Sequence, residues 1–85
     1  MSYRIALTRP IPLNQTESKL NTLEAKVFDY GNAKFFSYND KFFELEEDVQ
    51  KNIIGLTIHG NSVADFRSLM SIKDKLFVET HPIES

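Results

Sequence analysis

Residues 28–45 read FDYGNAKFFSYNDKFFEL, and seven of the chain's ten aromatic residues fall within them. Two turn signals divide this stretch. Gly31-Asn32 suits a two-residue hairpin, because glycine and asparagine tolerate the positive φ that tight hairpin turns require. Asn39-Asp40 is a second, weaker signal of the same kind. The pattern predicts three strands, at about 25–30, 33–38 and 41–45, joined as a meander.

The register follows from the turns. If both hold two residues, facing residues sum to 63 across the first turn and 79 across the second. One face then carries Val27, Phe36 and Phe43 in a row, with Ala25, Tyr38 and Leu45 beside them. Asp29 and Lys34 face each other on that side as a cross-strand pair. The opposite face carries Phe28 beside Phe35, Tyr30 beside Ala33, and Phe42, with Lys26, Ser37 and Glu44 among them. A third residue in the second turn would flip the last strand and exchange Phe42 with Phe43.

A sheet packed on one side and wet on the other should alternate cleanly between apolar and polar. Here both faces are aromatic, so either both are covered or one is a binding surface. Residues 1–8 or the C-terminus could fold over Phe28, Tyr30, Phe35 and Phe42. Self-association or another partner could cover them instead.

Outward from this stretch, Tyr3, Ile5 and Leu7 alternate with Arg4 and Thr8, which predicts a half-buried strand over residues 2–8. Pro10 and Pro12 should end it. Asn14 with Glu17 three residues on resembles a capping box, and predicts a short helix over about 15–23. EEDVQKNIIG, with acids first, a late lysine and Gly55 at its end, predicts another short helix. LTIH reads as a buried strand. Ser62, with Asp65 three residues on, opens a final helix whose apolar arc is Val63, Phe66, Leu69, Met70, Leu76 and Phe77. Residues 76–80 fit either a continued helix or an edge strand. The expected fold is therefore α+β: one small domain over residues 1–85, a three-stranded antiparallel meander plus additional strand or strands, packed with two to three helices.

Eighty-five residues with 41% apolar and 26% charged side chains make an ordinary small globular domain. The absence of cysteine excludes disulfides and thiolate zinc sites. No cofactor or metal site is expected. No apolar run approaches a membrane span, and the N-terminus lacks the pattern of a secretory signal, so the expected location is the cytoplasm.

Nucleic acid is a poor fit as a partner. Lys26, Lys34 and Lys41 lie near the aromatics, but Asp29 and Asp40 leave residues 25–43 at a net charge of only +1. Affinity for nucleic acid comes largely from neutralising phosphates. Catalysis has little to build on. His59 follows a strand beside Gly60, and Ser62 lies three residues on, yet Ser62 is already explained as a helix cap. His81 stands before Pro82 near a terminus. The free N–H groups after Gly60-Asn61-Ser62 and the acidic run Glu44, Glu46, Glu47 and Asp48 are both accounted for by helix starts.

Residues 53–69, IIGLTIHGNSVADFRSL, resemble the end of HicB-type antitoxins, where a strand leads through glycine, an Asn/Asp-Ser/Thr cap and an acid into a helix. That resemblance implies a regulatory protein that binds a small toxin, as an oligomer. EEDVQKN departs from the family as an insertion, and Ile54-Gly55 stands where a Pro-Gly is usual.

These residues therefore point to a non-catalytic protein-binding or regulatory module. It acts through Phe28, Tyr30, Phe35 and Phe42, and a homodimer is one form of that contact. The alternatives are the antitoxin-like regulator and a small-ligand or enzymatic site near His59 and Ser62.

Overall fold

The computed structural model describes residues 2–77. The chain runs β1 (Ser2–Pro12), α1 (Leu13–Thr22), β2 (Lys26–Tyr30), β3 (Ala33–Tyr38), β4 (Lys41–Glu47), β5 (Asn52–His59) and α2 (Val63–Leu76). The strands form one antiparallel sheet in the order β1-β5-β4-β3-β2. With two helices packed on this sheet, the domain is α+β.

The meander holds the expected register. Phe28 pairs with Phe35 and Val27 with Phe36 across the first turn; Phe36 pairs with Phe43 and Ser37 with Phe42 across the second. Gly31 has φ +64°, as a turn with glycine at its first central position demands. Asn39 and Asp40 have φ +53° and +62°, so the second turn has positive φ at both central residues. These are the backbone states that keep the strands twisted together and fix which side chain faces which way.

One face of the sheet carries the core. Phe36, Phe43, Leu45, Ile53, Leu56 and Ile58 join Leu20 of α1 and Leu69, Ile72 and Leu76 of α2 in a single buried cluster. Phe36 and Phe43 stack with ring centroids 4.9 Å apart. Each such aliphatic side chain adds about 1.5–3 kcal/mol when fully buried. Val27 shares this face but sits on the edge strand, beyond full cover by the helices, and is 40% exposed.

Lys34 ties α1 to the first hairpin. Its ammonium lies 2.7 Å from Asp29 and 3.4 Å from Glu17 of α1. Both carboxylates raise the Lys34 pKa, with the Asp29 hydrogen bond the largest cause. The cross-strand pair read from the register is present, with a helix residue as its third member.

Three expectations are corrected. β1 does not stop at residue 8: it continues through Pro10 to Pro12, leaving its ladder between Ala6 and Ile11 and rejoining β5 at Ile11. β1 is an edge strand, where a missing N–H leaves no partner stranded. Secondly, α1 starts earlier than expected, with Pro12 at its N-cap and no side-chain cap, so Asn14 lies inside the first turn rather than capping it.

The third correction is larger, for EEDVQKNIIG forms no helix. β4 runs on to Glu47 and β5 starts at Asn52, with a tight turn between them. The Asp48 carboxylate accepts hydrogen bonds from the N–H groups of Gln50 and Asn52, both at 2.9 Å, and Lys51 takes φ +68°. A side chain that satisfies its own backbone in this way competes directly with helix formation. Gly55 therefore lies mid-strand in β5. A register shift there, between Glu46 and Glu47, lets Ile53 and Leu56 both reach the core.

The capping box of α2 forms as expected: Ser62 Oγ accepts from the Asp65 N–H, and the Asp65 carboxylate accepts from the Ser62 N–H. Within the predicted arc, Leu69 and Leu76 are buried, while Val63, Phe66 and Met70 remain partly or largely exposed. Helix α2 ends at Leu76, and the rest of the undecided stretch, from residue 78, lies outside the described residues, as do His81 and Pro82.

Candidate functional site

The face of the sheet opposite the helices holds the four aromatics singled out by the sequence. Phe28 is 43% exposed, Phe42 60% and Tyr30 80%. Phe35 is half-buried between its neighbours. Among the described residues, no element lies over this face; β1 extends the sheet beside β5 instead of folding across it.

Strand periodicity and the two hairpin turns place these side chains. Phe28 on β2 and Phe35 on β3 are direct partners, while Phe42 on β4 faces Ser37 of β3 and Phe35 faces Glu44. The Phe28 and Phe42 rings approach to 6.3 Å, tilted by 44°. The Phe35 ring lies 6.3 Å from the imidazole of His59 on β5. Tyr30 stands at the turn end of β2 beside Ala33.

Beyond the aromatics, toward β5 and β1, the same face carries paired polar side chains. His59 Nε2 lies 3.1 Å from Glu44. Arg4 Nε donates to Glu46 Oε1 at 2.7 Å, and Nη2 lies 2.7 Å from the same oxygen. The face is thus divided into an apolar part on β2–β4 and a polar part on β4, β5 and β1 whose side chains pair with one another.

Two open hollows flank the aromatic part. One lies beside Tyr30 and the Gly31-Asn32 turn, with Glu44, Glu46 and Glu47 along its far side. The other lies between Lys26, Ser37, Asn39, Asp40 and Phe42. Both open to solvent, which is the form of a docking surface rather than of an enclosed small-molecule site.

The residues considered for chemistry are not assembled into a centre. His59 turns to Glu44 and Phe35, while the Ser62 hydroxyl is engaged with the Asp65 N–H. Asp65 itself is held by Lys41 at 2.7 Å, which with the Ser62 bonds lowers its pKa to about 2. Among the described residues, no group of three or more His, Asp and Glu side chains converges to hold a metal, and no helix is long and apolar enough to cross a membrane. Sequence reasoning missed the Arg4–Glu46 pair, because it joins strands whose adjacency to β5 no local pattern reveals. Comparison with known families, curated proteins and solved structures finds no match to this chain.

Proposed function

We propose that this chain acts by binding another protein through the open aromatic face, as a soluble protein of the cytosol with no catalytic step of its own. The observation that carries this reading is the exposure of Phe28, Tyr30 and Phe42 together on one side of a sheet whose other side holds a complete core. Contiguous apolar patches of this kind mark interaction sites, and aromatic anchors dominate the binding energy of such contacts. The flanking pairs His59–Glu44 and Arg4–Glu46 supply a polar rim.

A second reading is an antitoxin-like regulator that binds a small toxin, drawn from the resemblance of residues 53–69 to the end of HicB-type antitoxins. The order β5, Gly60, the Ser62–Asp65 capping box and α2 is consistent with that resemblance. A ligand or enzymatic site near His59 and Ser62 has less support, since the serine hydroxyl already serves the helix cap.

The test compares immobilised native chain with Phe42→Glu and Val63→Glu, in capture from a lysate of the source cell. Val63 is 67% exposed at the start of α2, on the helix side of the sheet and away from the aromatic face. The expected result is a protein retained by the native chain and by Val63→Glu but lost with folded Phe42→Glu. Equal retention by all three would refute the aromatic face as the contact.

A further inference from the structure

The two edges of the sheet are built differently. β1 carries Pro10 and Pro12 and breaks its ladder between Ala6 and Ile11, both devices that keep another strand from adding to an edge. β2 has neither device. Its five residues Lys26-Val27-Phe28-Asp29-Tyr30 pair with β3 in unbroken register, contain no proline, and are all exposed. Valine, phenylalanine and tyrosine favour strands, and the single lysine stands at one end.

The groups available for pairing follow from the hairpin. Tyr30 and Ala33 flank a two-residue turn and form its closely bonded pair. Alternation along β2 then turns the N–H and C=O of Val27 and Asp29 outward, away from β3.

We propose that a second copy of this chain pairs with β2 along that edge, antiparallel about a two-fold axis at Phe28, joining the two sheets side by side. The register is selected by symmetry and charge. A two-fold axis normal to the sheet keeps the helices of both copies on one side, so facing residues must have an even sum. Centring on Asp29 would oppose two aspartates. Centring on Val27 would bring Tyr30 against Glu24, whose φ of +60° takes it out of the strand. Centring on Phe28 pairs Val27 with Asp29 of the second copy, so that their outward main-chain groups bond to each other. It sets Lys26 against Tyr30, a cation beside a ring face. Phe28 meets Phe28, and the row Phe35–Phe28 continues into the second copy on the open face.

This goes beyond the binding reading above and does not depend on it, because edge pairing leaves the aromatic face uncovered and doubles its extent. The experiment is molar mass by light scattering on the full chain across a concentration series, native against Val27→Pro and Phe42→Glu. The Val27 N–H points away from β3, so proline there removes an intermolecular donor while the chain's own hairpin keeps its bonds. Native chain is expected to rise from 9.8 kDa to twice that mass with concentration. Val27→Pro is expected to stay at the single-chain mass with an unchanged circular dichroism spectrum, and Phe42→Glu to dimerise like the native chain. If Val27→Pro does not fold, amide exchange of the native chain decides: protection at Val27 and Asp29 must grow with concentration. A native chain monomeric throughout overturns the proposal. So does a dimer that Phe42→Glu dissociates while Val27→Pro leaves it intact, or one whose Val27 and Asp29 amides exchange freely.

Discussion

Arg4 on β1 reaches across β5 to Glu46 on β4, and the bridge passes directly over Gly55. A Cβ at position 55 would stand 2.7 Å from Glu46 Oε1 and 3.2 Å from Arg4 Nη2. The missing side chain is what allows two strands that are not neighbours to exchange charge across the one between them. Gly55→Ala is expected to part the bridge, since both colliding atoms are ends of flexible side chains. The Ile5 carbonyl, at 3.3 Å, also has to give slightly. An exposed ion pair adds little stability, and alanine is less costly than glycine in a strand interior. Thermal unfolding of Gly55→Ala should therefore shift by less than about 4 °C. A much larger loss would show that the bridge or the close passage of Ile5 holds β1 in place.

Phe42 and Phe43 are adjacent in β4 and point to opposite faces. Phe43 is buried against Phe36, whereas Phe42 is 60% exposed. Phe43→Ala is expected to cost about 3–5 kcal/mol, the usual penalty for emptying an aromatic core site. That is a large share of the about 5–15 kcal/mol that stabilises a typical domain. Phe42→Ala should change stability by no more than about 1 kcal/mol. Urea unfolding of the two variants checks both, and similar losses would contradict the assignment of faces.

Lys34 is mostly covered and is shared by Asp29 and Glu17. Lys34→Ala leaves those two carboxylates close together without their cation, at the point where α1 meets the hairpin. A loss of about 1 kcal/mol is expected, smaller in high salt because the pairs are partly screened. Equal stability of native and variant chains at low salt would show that α1 is held by Leu20 and its apolar neighbours alone.

Asp65 carries the acid sensitivity of the α2 cap. Its folded pKa of about 2 lies below the ordinary aspartate value near 3.9, owing first to the Lys41 hydrogen bond and then to those from Ser62. The stabilisation is therefore fully present above pH ~4 and fades as pH falls through about 2. Urea midpoints should drop over this window in the native chain, with the Asp65→Asn chain showing a shallower fall. A carboxyl titration by NMR that placed Asp65 at the ordinary value would contradict the Lys41–Asp65–Ser62 arrangement. Gly60 is part of the same device, since a Cβ there would collide with the Asp65 carboxylate.

The meander was legible because it is local: two turns, each marked by residues that accept positive φ, fix the pairing of Phe28, Phe35, Phe36, Phe42 and Phe43. From that register the two aromatic faces follow by parity. The Ser62–Asp65 box was legible for the same reason. The β4–β5 turn was not, because acids before a lysine and a glycine fit a helix as well as they fit a strand end. What decided it was the Asp48 side chain bonding to Gln50 and Asn52, together with burial of Ile53 and Leu56. The place of β1 was hidden as well. Its partner β5 lies across most of the chain, and its prolines resemble a strand stop unless the strand is known to be an edge.

The most direct test of the open aromatic face is the unfolding free energy of the double variant Phe28→Ser/Phe42→Ser, measured by urea denaturation at a concentration low enough to keep the native chain monomeric. If the face is a free surface awaiting a partner, the variant should match the native chain to within about 1 kcal/mol. A loss of several kcal/mol, comparable with that of Phe43→Ala, would mean these aromatics are a second core, and the face would have no claim as a binding surface.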